Sequence, residues 1–255
     1  MRSLPFLGWA LFTAVAANAQ TAAPDETASP AVLQSRLQIL AQAAELLHDH
    51  LPAFACHETL TSEEVRKEKV KRRVDAAGDL RVQPAEHGKL DETFRATEVD
   101  GKPRTGGLHV PIFVSGGFKN ALDLFMPEDQ KCFTYKLAGN RLEFRTPLFA
   151  EGELCSQRTG ITGLALFDDD GNLTHIELRV QDERAIERNV VPYGALDLSR
   201  IDLGGTTYLL STHVIAERPH DKSVFRWEAT YSNCRLYQVT VKIGPATPAP
   251  EDSAK

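Results

Sequence analysis

Between Phe225 and Ile243 apolar and polar residues alternate with a period of two. Odd positions carry Phe225, Trp227, Ala229, Tyr231, Tyr237, Val239, Val241 and Ile243, and even positions carry Arg226, Glu228, Thr230, Ser232, Gln238, Thr240 and Lys242. Successive side chains of a strand point to opposite faces, so this spacing predicts β structure with one apolar and one wet face. The phase falters over Ser232–Leu236, where polarity changes sides and a bulge or tight turn would restore it. A straight strand of this length would span about 65 Å, so two long strands or one strongly coiled strand are expected.

The same alternation marks Phe54–Thr61, Val65–Val74, Glu92–Val99, Cys132–Leu137, Arg141–Phe144, Gly163–Phe167, Leu173–Val180 and Thr207–Glu217 as strands. Asp100-Gly101, Gly139-Asn140 and Asp170-Gly171 are turn dipeptides between such runs. Leu164–Phe167, Asp168–Asn172 and Leu173–Val180 together read as one hairpin.

One segment has helical spacing instead. Val32, Leu33, Leu37, Leu40, Ala44, Leu47 and Leu51 recur on one stripe, Ser29-Pro30 supplies a start signal, and Leu51-Pro52 ends the run. That stripe needs a surface to cover. Almost everything after it reads as β, so the surface is a sheet. A short helix is expected over Lys119–Phe125, after the glycine-hinged Ser115-Gly116-Gly117, and this segment has the makings of a lid. No internal repeat or domain boundary interrupts the chain. The expected fold is α+β: one curled antiparallel sheet with the long N-terminal helix packed on its concave face.

The two ends change the picture of where this fold works. Arg2, an apolar run from Leu4 to Ala17 and the small residues Ala17-Asn18-Ala19 have the layout of a secretory signal peptide, too short to span a bilayer. Residues 1–19 are expected to be removed, 20–31 to form a flexible lead-in, 32–243 a single domain and 244–255 a proline-rich, disordered tail. The mature chain then carries 28 basic and 35 acidic side chains, a formal charge of −7. An acidic chain is a poor match for nucleic acid, and with 42% hydrophobic residues it can bury a core. No membrane-spanning segment is expected in the mature chain, which is placed in the periplasm or outside the cell. Arg66, Lys67, Lys69, Lys71, Arg72 and Arg73 form the one basic cluster, laced with Glu63, Glu64 and Glu68, and read as a solvated face.

Four cysteines in an oxidising compartment favour two disulfides, for which three connectivities exist. The favoured pairing is Cys132–Cys155 as a local clasp and Cys56–Cys234 as a tie between the first and last strands. Their wide spacing fits no zinc signature.

Candidate chemistry is sparse. There is no G-x-S-x-G elbow and no phosphate-cradling glycine loop. Ser211 and His213, two apart on a strand, are expected to share a face within reach of each other, but no orienting third group or oxyanion loop accompanies them. His48 and His50 point to different faces of a helix, and His57 and Glu58 alternate across a strand, so neither pair makes a metal site. Asp168–Asn172 lacks the distal acid of a calcium loop, because the twelfth position is Arg179. No catalytic residue, metal or cofactor is expected. The aromatic stripe Phe225, Trp227, Tyr231 either forms core beneath the helix or, together with Leu40 and Leu47, lines an apolar cavity.

Several of these pieces, in this order, resemble a known group. They are the signal peptide, the amphipathic helix, the strand Leu51–Glu58, the hairpin Thr162–Glu177, Tyr193–Leu198, Asp202–Leu210 and the run Ala229–Tyr237. The order resembles secreted bacterial proteins related to the lipoprotein carrier, LppX and RseB group. The resemblance implies an open half-barrel with helices closing its mouth, and a non-enzymatic role in carrying or sensing lipid, lipoprotein or an envelope peptide. Cys234 stands where relatives often carry an aromatic residue, and Glu63–Gly88 is a longer charged segment than the group's pattern. A second expectation is a structural or regulatory envelope protein that docks a partner through Glu63–Arg73 or an edge strand. A secreted hydrolase is the third.

Overall fold

The computed structural model describes residues 28–85, 90–104, 108–112, 122–146, 155, 160–181 and 193–237. The expected signal peptide and most of the expected lead-in (residues 1–27), everything from residue 238 onward with the expected tail, and residues 113–121 of the glycine-hinged segment lie outside the described residues.

Helix α1 (Pro30–His50) starts where the sequence signals it. The Ser29 hydroxyl accepts a hydrogen bond from the Val32 N–H at 3.4 Å, and Pro30 fixes the first turn. Leu51 is already extended because the following proline disfavours helical backbone. The helix buries Leu37, Leu40, Ala41, Ala44 and Leu47.

Beyond it the described residues form one antiparallel sheet of eleven strands. They are β1 (Phe54–Arg66), β2 (Lys69–Pro84), β3 (Leu90–Val99), β4 (Lys102–Pro103), β5 (Thr134–Ala138) and β6 (Arg141–Arg145). There follow β7 (Ile161–Phe167), β8 (Leu173–Val180), β9 (Tyr193–Leu203), β10 (Thr206–His220) and β11 (Ser223–Leu236). The spatial order is β4-β3-β2-β1-β11-β10-β9-β8-β7-β6-β5, so the first and last long strands meet in the middle. β4 and β5 are left as edges, and the sheet does not close into a barrel. Each strand pair adds a twist of roughly 20–25°, which over this many strands curls the sheet around α1. This is the expected α+β half-barrel.

Among the described residues, polar ties hold the helix to the sheet and to the segment before β5. Arg36 Nη1 donates to the Gly171 carbonyl at 2.8 Å, Gln130 Nε2 to the Leu37 carbonyl at 2.9 Å, and the Tyr208 hydroxyl to the His50 carbonyl at 2.7 Å. Gln130 belongs to the short helix α2 (Pro127–Gln130) and also donates to the Phe125 carbonyl at 2.9 Å. Arg36 additionally lies over the Phe167 ring, 5.2 Å from its centroid.

The irregularities are as informative as the pattern. The expected break in the last strand is a bulge: Ala55 pairs with Arg235 and His57 with Ser232, so two residues of β11 oppose Cys56 alone. Asn233 takes the left-handed conformation there (φ 54°), which asparagine tolerates better than most residues. β11 is therefore one bulged strand as far as Leu236. Cys56–Cys234 bridges this bulge with Cα atoms 4.1 Å apart, and Cys132–Cys155 closes the local loop.

Some expectations need correcting. Val65–Val74 is not one strand: Lys67 and Glu68, both at positive φ (50° and 59°), turn the chain between β1 and β2. Paired positive φ values match the twist of a two-residue hairpin, even without glycine or asparagine. Of the helix expected over Lys119–Phe125, the described part is a single 3-10 turn at Asp123–Phe125. β9 is a full strand over a stretch where alternation alone marks none.

Candidate functional site

The curl gives the sheet two chemically distinct faces. Toward α1 point Cys56, Glu58, Leu60 and Ser62 of β1, Val74, Ala76, Leu80 and Val82 of β2, and Trp227, Ala229 and Tyr231 of β11, all buried. Leu196 and Leu198 of β9 and Ala165 and Phe167 of β7 continue the same core under the helix.

The candidate lining residues are mostly brought together. Leu40, Leu47, Trp227 and Tyr231 share one core cluster and are 1%, 2%, 0% and 6% exposed. Phe225 stands apart, half-buried at the hairpin end, with its ring stacked on His220 at 4.7 Å. There it borders a surface groove of about 730 Å³ with Glu64, Arg66 and Lys222.

Sequence reasoning misses Glu58. It is 1% exposed in the middle of the concave face, opposite Tyr231 on one side and Gly78 on the other. Its Oε2 has no hydrogen-bond partner among the described residues. Burial first, and the nearby charge of Glu92 second, push its carboxyl up to about 8. The Tyr231 phenol is likewise driven up by burial and by the charges of Glu58 and Glu92. The available signal is phase: Glu58 lies in step with Cys56 and Leu60, and therefore faces inward with them. Gly78 is needed at this level because β3 approaches closely: a Cβ there would run into the Arg95 carbonyl.

The convex face is built of polar ladders. Arg73, Glu63, Arg226 and Glu217 alternate in charge across β2, β1, β11 and β10, with contacts of 3.2, 3.9 and 2.8 Å. Arg73 also pairs with Asp75 at 2.9 Å, and that hydrogen bond holds the Asp75 carboxyl below its ordinary range. A second ladder crosses β8 to β11. His175 Nδ1 lies 2.7 Å from Asp197 Oδ1, His213 Nδ1 lies 3.0 Å from Asp197 Oδ2, and His213 Nε2 lies 2.8 Å from Glu228 Oε1. Both ring nitrogens of His213 thus face carboxylate oxygens, an arrangement that needs the doubly protonated ring.

This ladder overturns the expected Ser211–His213 contact. A register shift makes Thr212 an extra residue, so Ser211 pairs with Leu198 and His213 with Asp197. Leu198 and Asp197 are successive on β9 and point to opposite faces; Ser211 is fully buried while His213 is partly exposed. A nucleophile–base pair is absent at this position.

Other polar motifs have structural roles. Asp168 caps its own turn, accepting from Asn172 N at 2.7 Å and from Asn172 Nδ2 at 3.0 Å. His48 Nδ1 meets its neighbour Asp49 Oδ1 at 2.6 Å. Among the described residues no group of three or more His, Cys, Asp or Glu could hold a metal ion, and no helix is long and apolar enough to cross a membrane.

No protein-family model matches the chain, and no curated protein matches it. Solved structures do. A DUF1329 family protein from Desulfovibrio piger is 16% identical, with a TM-score of 0.37 over 82% of this chain and 94% of that one. A LolA superfamily protein from Nitrosomonas europaea is 10% identical, with a TM-score of 0.35 over 80% and 94% of the two chains. A domain assigned to outer-membrane lipoprotein sorting from Vibrio parahaemolyticus is 10% identical, with a TM-score of 0.40 over 82% and 95%.

Proposed function

We propose that this chain is a non-enzymatic, exported envelope protein that holds an amphiphile, a lipid or the acyl end of a lipoprotein, between α1 and the concave face of the sheet. The observation that carries this reading is Glu58. A carboxyl with a partnerless oxygen sits inside a mostly apolar surface, and such an atom costs about 1–3 kcal/mol unless something bonds it. A ligand with an apolar tail and a polar head satisfies both requirements. Its tail takes the place of core contacts along Trp227, Tyr231, Leu40 and Leu47, which pack together in one cluster, so α1 gives way on entry and each CH₂ then buried contributes about 0.8 kcal/mol. Its head hydrogen-bonds Glu58, whose carboxyl, pushed up to about 8, is protonated at neutral pH and both donates and accepts. The two disulfides, and the signal-peptide layout of the first nineteen residues, agree with work outside the cytoplasm.

Native mass spectrometry of protein purified from the periplasm tests this. The expected result is a co-purifying apolar mass, released on denaturation and reduced in Glu58→Leu. An empty protein that also fails to take up a fluorescent fatty acid after delipidation refutes carriage.

A further inference from the structure

The convex face carries polar ladders with Ile215, Leu164 and Leu166 set singly among them, and at one end its apolar positions line up. There the register aligns Val70 of β2, Val65 of β1, Val224 of β11 and Pro219 of β10 as direct cross-strand neighbours. Direct partners share a face, so these four side chains make one apolar row across four strands. Val70 is 52% exposed, Pro219 is exposed, and Val65 and Val224 are half-buried. The row lies where the β1–β2 and β10–β11 hairpins run out beyond the core, and the first five residues of β2, Lys69–Arg73, are all exposed.

The charge at this end is opposite to that of the chain. From Arg66 to Arg72 there are five cations against the single carboxylate of Glu68, in a protein of net formal charge −6. Arg66, Lys67, Lys69 and Lys71 alone line a depression of about 310 Å³. Lys71 is the extra residue of a register shift between Glu64 and Val65, which splays it away from the ladder. The opposite side of the hairpin is covered: Arg72 Nη2 donates to the His109 carbonyl at 2.8 Å, and the Ser62 hydroxyl bonds Ile112 at 2.8 and 3.0 Å. Among the described residues, the valine side is the one left uncovered to meet a partner.

We infer that the paired tips of the β1–β2 and β10–β11 hairpins dock on an anionic lipid bilayer, with Val70 and its row entering the interface and the cations of Arg66, Lys67, Lys69 and Lys71 meeting lipid phosphates. Cations arranged around a turn, beside an exposed apolar row, fit a smeared negative surface rather than the fixed carboxylates of a folded protein. This surface lies on the other face of the sheet from Glu58, so it does not depend on what the concave face holds.

Flotation of the exported chain with vesicles tests it. Vesicles of phosphatidylglycerol and phosphatidylethanolamine should bind the protein, phosphatidylcholine vesicles should not, and added salt should weaken binding. Combined Lys67→Glu, Lys69→Glu and Lys71→Glu should weaken it by about tenfold or more. Val70→Ser, which keeps every charge, should also weaken it, with unchanged circular dichroism in both variants. Equal binding to both vesicle types, full displacement by equimolar inorganic phosphate, or wild-type binding by the triple variant would overturn the inference. So would loss of capture of an acidic envelope protein by the triple variant while vesicle binding stays intact.

Discussion

Glu58 and Tyr231 are direct cross-strand partners of β1 and β11, both buried on the concave face. The folded protein holds the Glu58 proton up to about 8, against an ordinary value of 4.5. The native state therefore binds more protons than the unfolded chain across that interval. The stability this carboxyl confers is greatest below about 4.5 and declines as pH rises toward about 8. Glu58→Gln keeps the shape and removes the titration. It should be more stable than wild type at neutral pH by a few kcal/mol, since each tenfold difference in proton affinity between the folded and unfolded chains is worth about 1.4 kcal/mol. Urea unfolding at acidic and alkaline pH checks this, and parallel pH slopes for the two proteins would refute it.

The two disulfides should not contribute equally. Cys56–Cys234 closes a loop with a sequence separation of 178, Cys132–Cys155 one of 23. Chain entropy alone then favours the longer loop, at roughly 5 against about 3 kcal/mol. Paired alanine substitutions at 56 and 234 are expected to lower the denaturation midpoint further than those at 132 and 155. The reverse order would show that native-state effects outweigh loop closure.

What the sequence made legible was local. Ser29-Pro30 and Leu51-Pro52 bounded the helix because capping and proline sterics act over a few residues. Asp100-Gly101, Gly139-Asn140 and Asp170-Gly171 located turns because their residues tolerate positive φ, and Gly101 and Gly171 do adopt it. The Lys67-Glu68 turn was hidden because two charged residues without glycine look like any wet strand surface. The Ser211–His213 contact failed for a related reason: a single extra residue, Thr212, reverses a face assignment, and nothing in its identity announces it. Glu58 was readable from its phase with Cys56 and Leu60, but its partnerless oxygen was not. That depends on which strands flank β1, a long-range fact.

Two glycines give a sharp contrast. A Cβ at Gly78 would overlap the backbone of Arg95 and Ala96, neither of which can swing aside, whereas at Gly194 the nearest atom, the Ile215 carbonyl oxygen, is 3.7 Å away. Gly78→Ala should cost roughly 1–3 kcal/mol by prising β2 from β3. Gly194→Ala should fall within about 0.5 kcal/mol of wild type. Comparable losses from both would mean that the β2–β3 approach is looser than the register at Gly78 and Ala96 requires.

The His213 ladder predicts pH dependence with its own sign. Burial works against the charged ring, but the hydrogen bonds to Glu228 and Asp197 outweigh it and raise the imidazole above its ordinary 6.5. Burial likewise opposes the Asp197 carboxylate, yet the hydrogen bonds from His175 and His213 leave it lowered. A raised histidine binds its proton more tightly in the folded state. Its contribution is thus complete below 6.5 and is lost as pH rises through the folded value. His213→Gln should therefore lose stability relative to wild type under mildly acidic conditions and converge with it under alkaline ones. Proton NMR of the ring resolves the cause: Asp197→Asn should lower the His213 titration midpoint, and Glu228→Gln should do so independently. If neither substitution moves that midpoint, the two carboxylates do not hold the ring, and the ladder contributes nothing to the acid-side stability of the sheet.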